Sequence, residues 1–325
     1  MKYRYTIYGL QIESSRPLNL LTETVNDSID LSIVWTTDES DSPDARLDWQ
    51  PVVTEGLKRR KAIALWQATA SDGIYTKLQY KTEVGRIDFL LDPSKKKLWI
   101  IHDRRELPGD LESYFVGPAL GCILRLRGTV CLHSSVVNID GRAVALLGRK
   151  MSGKSTFAAG FAQLGAAVLA DDVAVLTPKD DNFLVQPGYS KVRLRPASAN
   201  FLVKNAESLP PVYSDYNSRY FSLAEENRFC SNPLPLAAIY ILGEIDDQYN
   251  IPFVETIKPR EKLLKLLENT VGSFVLTASE RAQEFRVLSQ IARKVPVSKL
   301  FYAHRIKSLP VQCQTIVDDF RCRAT

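Results

Sequence analysis

Residues 143–165 read AVALLGRKMSGKSTFAAGFAQLG, and this stretch decides the fold class. The apolar run AVALL, which ends at Leu147, is typical of a buried strand. The segment Gly148–Thr156 then satisfies the pattern G-x-x-x-x-G-K-[ST] without a mismatch. The residues that follow have helical composition and end at Gly165, where a helix commonly stops. A strand, a glycine-bounded loop and a helix in this order predict a nucleotide-phosphate loop in an α/β domain.

The residue types of this loop suit a polyphosphate. Glycines let successive N–H groups converge on an anion, and the positive end of the following helix points at the same place. Lys154 can reach the β- and γ-phosphates, and the Ser155 hydroxyl can complete a Mg²⁺ shell. We therefore predict ATP, or another nucleoside triphosphate, with Mg²⁺ as cofactors. The predicted binding residues are Gly148, Arg149, Lys150, Met151, Ser152, Gly153, Lys154, Ser155 and Thr156.

Two adjacent carboxylates follow the loop after one short helix and a turn. Asp171 and Asp172 interrupt the apolar run VLADDVAVL, residues 168–176. We expect the strand that carries them to lie next to the strand leading into the loop. Acidic groups placed there can bind Mg²⁺ or accept a proton from an attacking hydroxyl. The alternative is a solvated turn between two short strands, because aspartate favours turns.

His133 lies in VCLHSSVV, residues 130–137, on the strand before the Asp140-Gly141 turn. That dipeptide between two apolar runs predicts a β-hairpin, whose second strand leads into the loop. His133 could therefore hydrogen-bond one of the aspartates and tune its basicity. A buried structural histidine is the other interpretation, because burial of imidazole is common.

The first 115 residues alternate apolar and polar positions, which predicts a β-rich N-terminal domain. Helical spacing begins near residue 116, with Pro118 expected in the first turn and Gly128 after the last. We therefore place the α/β domain at residues 116–325. Within it the pattern predicts a buried strand, two helices, a late strand and a closing helix, and Thr277 with Glu280 is spaced as a capping box at the start of the second helix. Their sequences are LPLAAIYILG, PREKLLKLLENT, TASERAQEFRVLSQIARK, VPVSKLFYA and LPVQCQTIVDDFRC.

Composition excludes several other classes of protein. The net charge of +5 over 325 residues is small, and no nucleic-acid-reading motif accompanies it. The five cysteines are scattered without a C-x-x-C pair, which argues against a disulfide framework or a zinc site. The chain opens without an apolar signal segment, and no run reaches the ~18 apolar residues of a membrane helix. We expect a cytoplasmic protein with neither a nucleic-acid nor a membrane partner.

CLHSSVVNIDGRAVALLG, the loop, and GAAVLADDVAVL together resemble the C-terminal catalytic domain of bacterial HPr kinase/phosphorylase, which is related to phosphoenolpyruvate carboxykinase. The specific part of this resemblance covers about residues 131–195. The opening YRYTIYGLQIESSRPL and the chain length look more like HPr-kinase-like proteins encoded with lasso-peptide enzymes, some of which phosphorylate a serine at the C-terminus of the precursor peptide. The resemblance implies a P-loop-containing domain of this kind. From its position alone, we expect the smaller N-terminal domain to help recognise the acceptor.

The resemblance also implies roles for the candidate residues. Lys154 would contact phosphate oxygens, and His133 matches the family histidine near the catalytic aspartate. One of Asp171 and Asp172 would deprotonate the acceptor serine while the other organises metal. We take all four as catalytic candidates, and Ser155 with Asp172 as the metal ligands.

The sequence departs from the family pattern after the aspartate pair. The segment PGYSKVRLRP, residues 187–196, carries three basic residues where the family has a metal-binding glutamate. Lys191, Arg193 and Arg195 are therefore candidate contacts to phosphate or substrate, where a cation can neutralise transition-state charge. A solvated strand face is the alternative.

The leading hypothesis is ATP-dependent phosphoryl transfer to a serine hydroxyl of a peptide or protein. Positioning and charge neutralisation are what this reaction demands, and the motifs supply both kinds of group. The alternatives are a nucleotide-dependent switch or scaffold in peptide maturation, and a small-molecule kinase. The related HPr enzymes are hexamers, so a homo-oligomer is an option that the resemblance raises.

Overall fold

The computed structural model describes the chain except residues 26–27, 54–62, 83–84, 106, 215, 225–227, 246–248, 250, 304 and 325. The fold is mixed α/β with several sheets. Chain contacts divide it into two compact units, Met1–Arg127 and Gly128–Thr325. Segment 116–127, which the sequence pattern assigned to the C-terminal domain, therefore belongs to the first unit.

An eight-stranded sheet forms most of the first unit, as the alternating sequence predicts. Its strands occur in the order β1-β2-β3-β8-β7-β6-β5-β4, and β3 is parallel to both β2 and β8. The strands are β1 (Tyr3–Ile7), β2 (Leu10–Ser14), β3 (Leu31–Thr36), β4 (Gln50–Val53), β5 (Ile63–Ala70), β6 (Gly73–Lys81), β7 (Arg86–Leu91) and β8 (Lys97–His102).

The helical segment of the first unit begins earlier than the sequence pattern predicts. It consists of α1 (Pro108–Tyr114), a π-helical turn over Phe115–Ala119 and α2 (Leu120–Leu126). Pro118 therefore lies inside the helix, and the π turn is the kind of local adjustment that accompanies a residue without an N–H. The Phe115 ring lies 6.0 Å from the ring of Trp35 in β3, so this segment packs within the first unit.

The second unit contains twelve strands and five helices in its described part. The predicted hairpin, loop helix, capping box, late strand and closing helix are all present. The strands are β9 (Val130–Leu132), β10 (Ser134–Ile139), β11 (Arg142–Leu147), β12 (Val168–Ala170), β13 (Ala174–Lys179), β14 (Asn182–Gln186), β15 (Lys191–Leu194), β16 (Pro211–Tyr213), β17 (Tyr216–Ser222), β18 (Leu234–Ile245), β19 (Phe253–Thr256) and β20 (Val297–Tyr302). The helices are α3 (Lys154–Gln163), α4 (Pro196–Leu202), α5 (Pro259–Glu268), α6 (Ala278–Lys294) and α7 (Leu309–Ala324).

Three neighbouring parallel strands position the candidate site. β11 is parallel to β18, and β18 is parallel to β20. Their carboxyl ends meet at one edge of a nine-stranded sheet, which is where open α/β sheets commonly bind ligands. One expectation is wrong: β12, which precedes the aspartate pair, pairs with β10, so β10 separates it from β11. Strand neighbours are set by long-range pairing, which the local pattern does not encode.

The run AVALL is continuously apolar because both faces of β11 are buried. Val144 and Leu146 pack in one cluster with Phe157, a residue of α3. Ala145 and Leu147 face the opposite cluster, which contains residues of α5 and α6. Helices on both faces are the usual reason that a strand lacks alternation.

Candidate functional site

The loop between β11 and α3, residues 148–153, turns tightly and is here called the glycine loop. A Cβ added at Gly148 would lie 2.5 Å from Ser152 Oγ, so no larger residue fits there. Gly153 adopts a left-handed φ of 88° immediately before α3. Met151 also has a positive φ of 75°, a conformation that costs an L-residue about 1 kcal/mol. The loop therefore adopts a left-handed conformation at Met151 although that residue is not a glycine.

Lys154, the first residue of α3, folds back over the glycine loop. Its Nζ donates to the carbonyl oxygens of Gly148 at 2.8 Å and Arg149 at 3.2 Å. Burial lowers the pKa of this ammonium, and the nearby carboxylates of Asp171 and Asp172 act in the opposite direction. The lysine is thus held at the loop with a charge that the local environment satisfies incompletely.

Ser152 Oγ gives an independent indication that the loop accommodates a polar ligand. This hydroxyl is buried and has no hydrogen-bond partner within the described residues. A buried, unsatisfied hydroxyl costs free energy that an incoming acceptor can recover. A hydroxyl donor in the glycine loop, two residues before Lys154, is suited to a phosphate anion.

Asp171 is almost completely buried directly beyond β12. Its Oδ1 accepts hydrogen bonds from Ser135 Oγ at 2.5 Å and Ser155 Oγ at 2.9 Å. Its Oδ2 accepts one from the main-chain N–H of Arg193 at 3.0 Å. Burial, with a smaller contribution from Asp172, raises the pKa of Asp171 to about 6, although these hydrogen bonds oppose the rise. The contact with Ser155 joins this carboxylate to the first turn of the loop helix.

Asp172 is the more accessible carboxylate of the pair. Its side chain is 26% exposed, and its Oδ2 lies 3.1 Å from Nε of Arg193. It adopts a left-handed φ of 66°, which aspartate tolerates better than most residues. The turn directs the two neighbouring carboxylates to different partners, so the solvated-turn alternative does not describe Asp171.

His133 contacts Asp172 in a different way from the one expected. Its Nδ1 lies 3.0 Å from the main-chain carbonyl oxygen of Asp172, whereas a carboxylate contact was predicted. A carbonyl only accepts, so Nδ1 carries the proton and Nε2 has a free lone pair in the neutral ring. Burial lowers the pKa of His133, Lys154 lowers it further, and Asp172 opposes both. The imidazole of His133 beside Asp171 and Asp172 is therefore neutral.

Arg193 is the basic residue that the structure brings to the aspartates. Besides Asp172, its Nε donates to Tyr189 Oη at 3.2 Å. The guanidinium carbon lies 5.9 Å from the Tyr213 ring and 5.7 Å from the Tyr220 ring, within cation–π range. Burial lowers the pKa of Arg193, but the tyrosines and Asp172 outweigh it and keep the pKa well above its ordinary value.

The other two predicted basic contacts lie elsewhere. Lys191 Nζ is 5.8 Å from the Tyr220 ring, and Arg195 is an exposed residue immediately before α4. Thr156 Oγ1 shares a 2.8 Å hydrogen bond with Ser198 Oγ in α4. Arg193 makes direct contacts with both members of the aspartate pair.

Three contributors were missed by sequence reasoning. Asn269 Oδ1 accepts the Gly148 N–H at 3.1 Å, and Tyr302 Oη donates to the Ser152 carbonyl at 2.7 Å. These partners are 121 and 150 residues apart in the chain, so no local pattern indicates them. Ser135 is different, because its place two residues after His133 could have marked it as a neighbour of the same site.

A cavity of about 310 Å³ opens on one side of the glycine loop. Ile241 and Leu242, at the carboxyl end of β18, give it an apolar surface. Charged side chains stand around it, and its volume is at the lower end of the range for small-molecule sites. The remaining lining residues are Gly148, Arg149, Lys150, Met151, Ser152, Gly243, Lys265, Glu268, Asn269 and Lys299.

The described residues contain no group of three or more His, Cys, Asp or Glu side chains arranged to hold a metal ion. Mg²⁺ commonly binds through one or two carboxylates together with substrate phosphates, and Ser155 with Asp171 offers such a partial set. Among the same residues, no helix has the length and apolarity needed to traverse a bilayer.

No protein-family model and no curated protein sequence matches the chain. Several solved structures are similar to it. One is the structure of the Hpr(Ser) kinase/phosphatase from Coxiella burnetii, with 13% sequence identity and a TM-score of 0.33. The similarity covers 60% of this chain and 92% of that chain.

Proposed function

We propose that this chain transfers a phosphoryl group from ATP, or another nucleoside triphosphate, to a serine hydroxyl of a peptide or protein. The observation that carries the proposal is the 2.9 Å hydrogen bond between Ser155 Oγ and Asp171 Oδ1 at the glycine loop. This bond joins a hydroxyl in the first turn of the helix that Lys154 begins to a carboxylate, both suited to Mg²⁺, and the lysine is suited to phosphate. The C-terminal serine of a lasso precursor peptide is the specific acceptor that the sequence resemblance suggests.

The phosphate-binding groups have separate tasks in this proposal. Lys154 exchanges its bonds to loop carbonyls for bonds to phosphate oxygens, and Ser152 Oγ gains the acceptor that it lacks. Ser155 and Asp171 would hold Mg²⁺, which when bound would supply charge neutralisation for the phosphates. This reverses the assignment of Asp172 as the metal ligand, because Asp171 is the carboxylate in contact with Ser155.

Asp172 is then the group that accepts the proton of the attacking hydroxyl. Its 26% exposed side chain can be reached by an acceptor, whereas Asp171 is 1% exposed and already accepts three hydrogen bonds. Arg193, fixed beside Asp172, offers a cation for charge that develops on the transferred group. His133 orients the Asp172 main chain from the opposite side.

Two substitutions test these roles, each with a matched control. Lys154→Ala should abolish ATP binding in titration calorimetry, because it removes a buried charge from the phosphate site. Its control is Lys294→Ala, which removes a half-exposed lysine paired with Asp181. Asp172→Asn should retain ATP binding and lose transfer, whereas Asp181→Asn should retain both.

Transfer is followed with γ-labelled ATP, Mg²⁺ and a synthetic peptide ending in serine, with mass spectrometry of the product. Gain of one phosphate on serine by the unmodified protein supports the proposal. ATP binding without labelled peptide or released phosphate would favour the switch or scaffold alternative. Normal transfer by Asp172→Asn would show that this carboxylate is not the base.

A further inference from the structure

Two side chains from outside the glycine loop hold its two ends. Asn269, directly after α5, binds the N–H of Gly148, and Tyr302, the last residue of β20, binds the carbonyl of Ser152. Asn269 is 8% exposed and Tyr302 is 3% exposed, so water competes little for either bond. The loop is therefore fixed by hydrogen bonds as well as by its own glycines.

The amide of Asn269 has a defined orientation. Its Nδ2 donates to the Lys265 carbonyl at 2.8 Å, which leaves Oδ1 facing the Gly148 N–H. Its main-chain carbonyl also accepts the N–H of His133 at 2.6 Å. Asn269 thus links the start of the glycine loop to His133, the residue between β9 and β10 that contacts Asp172.

Tyr302 acts on the other end through peptide geometry. In a planar trans peptide the C=O and the following N–H point in opposite directions. Because the Ser152 carbonyl points at the Tyr302 hydroxyl, the Gly153 N–H of the same peptide points away from Tyr302. The tyrosine ring is itself fixed, lying edge-to-face against Phe157 with 5.3 Å between centroids.

We infer that Asn269 and Tyr302 are positioning residues that hold the glycine loop in its phosphate-binding form before nucleotide arrives. The inference rests on the proposed function, because it assumes that the loop binds phosphate. A loop ordered in advance loses less conformational freedom on binding, so affinity depends on these two bonds, which both residues make to the loop main chain.

Tyr302→Phe is the first test, and the chain offers a matched control. Tyr240, in neighbouring β18, is also buried and donates its hydroxyl at 2.7 Å to Asp319, a residue outside the loop. Both substitutions remove one buried hydroxyl and keep the ring. We expect Tyr302→Phe to weaken ATP–Mg²⁺ binding about three- to tenfold in calorimetry, and Tyr240→Phe to leave it unchanged. The midpoint of thermal unfolding should fall in both variants, and at least as much in Tyr240→Phe, because Tyr240 donates to a carboxylate.

Asn269→Ala repeats the test at the other end of the loop. Its control is Thr270→Val, which removes the neighbouring 3.1 Å bond from Thr270 Oγ1 to the Leu267 carbonyl without touching the loop. This pair replaces the tyrosine pair if Tyr302→Phe does not fold. Hydrogen exchange without nucleotide supplies a second readout: loop amides should exchange faster in Tyr302→Phe and Asn269→Ala than in their controls.

The outcomes separate this inference from the proposed function. If the unmodified protein binds no ATP, both fail. If it binds ATP while Tyr302→Phe and Asn269→Ala bind equally well and exchange loop amides at the unmodified rate, the positioning role alone is overturned. Weaker binding in the two variants, with unchanged binding in Tyr240→Phe and Thr270→Val, supports it.

Discussion

Asp88 and Asp171 are both almost completely buried carboxylates, one in each compact unit, and their surroundings differ. Asp88, in β7, lies 3.1 Å from Nε of Arg86 and accepts a hydrogen bond from Gln79 Nε2 at 2.9 Å. Asp171 accepts from two hydroxyls and one main-chain N–H, and its nearest charged neighbour along the chain is Asp172. Burial raises the pKa of both carboxyl groups.

The difference teaches that burial alone does not mark a functional carboxylate. Asp88 has a half-exposed cation, Arg86, as its partner, and this offsets part of the effect of burial. Asp171 has dipolar partners, a like-charged neighbour and the ammonium of Lys154 within electrostatic range, so a bound cation such as Mg²⁺ would stabilise its charge further. Titratable groups placed in this way are typical of catalytic sites.

The largest expected effect is on the rate of phosphoryl transfer when the charge of Asp171 is removed, with Asp88 as the control. Asp171→Asn should slow phosphoryl transfer about a hundred- to a thousandfold, because it removes the charge beside Ser155 that would hold Mg²⁺. Asp88→Asn should leave the rate unchanged. Initial rates with γ-labelled ATP over a Mg²⁺ series measure both. Equal transfer rates in the two variants would show that Asp171 is no more important for transfer than Asp88.

The pH dependence of stability gives the next largest effect. The pKa of Asp171 is about 6 in the folded chain and 3.8 ordinarily, so its folded form favours the proton. Its contribution to stability is therefore complete below the ordinary pKa and is lost as the pH rises through about 6. Asp171→Asn cannot ionise, so its free energy of unfolding relative to that of the unmodified protein should rise by about 2 kcal/mol between pH 4 and pH 8.

Urea unfolding of Asp171→Asn and the unmodified protein, near pH 8 and near pH 4, measures this difference. The comparison cancels the hydrogen bonds that the amide loses at both pH values, and near pH 4 Asp171 is protonated in the folded chain. A stability difference between variant and unmodified protein that does not change with pH would contradict the assignment of an incompletely compensated charge.

A smaller effect should follow from removing one hydroxyl partner. Ser135→Ala takes away the 2.5 Å donor to Asp171, a bond to a charged group worth about 2 kcal/mol. The loss should be larger near pH 8 than near pH 4, because the bond is stronger to the ionised carboxylate. Ser134→Ala is the control: its hydroxyl donates to main-chain carbonyls, so its cost should not vary with pH.

The smallest effect should come from the partner of Asp88. Arg86→Gln should lower the free energy of unfolding by about 1 kcal/mol or less, because the arginine side chain is 53% exposed and water replaces part of its contribution. Urea unfolding near pH 8 measures it against Ser135→Ala. If Arg86→Gln lowered the free energy of unfolding more than Ser135→Ala does, Arg86 would stabilise the charge of Asp88 more strongly than its exposure implies.

The sequence predicted those parts of the fold that depend on local chemistry. The strand before Gly148, the helix after Gly153 and the Thr277–Glu280 capping box follow from patterns within a few residues, and the structure confirms them. Pro118 shows where local rules fail, since a π turn accommodates a proline that the pattern placed in the first turn of the helix.

The sequence identified those site residues that are close to one another in the chain, and it missed those that reach the loop from distant elements. Lys154, Ser155 and the aspartates come together across one helix, although β10 intervenes between β12 and β11. Asn269 and Tyr302 reach the loop from distant elements, and their residue types have many ordinary structural uses. Their importance is visible only once the strands are paired.

Arg193 meets the two acids through different parts of itself: its main-chain N–H binds Asp171 and its guanidinium binds Asp172. Every amino acid except proline supplies that N–H, so a change of this one codon alters the second acid while sparing the first. Position 193 is therefore where evolution, or an engineer, can retune one carboxylate independently of its immediate neighbour.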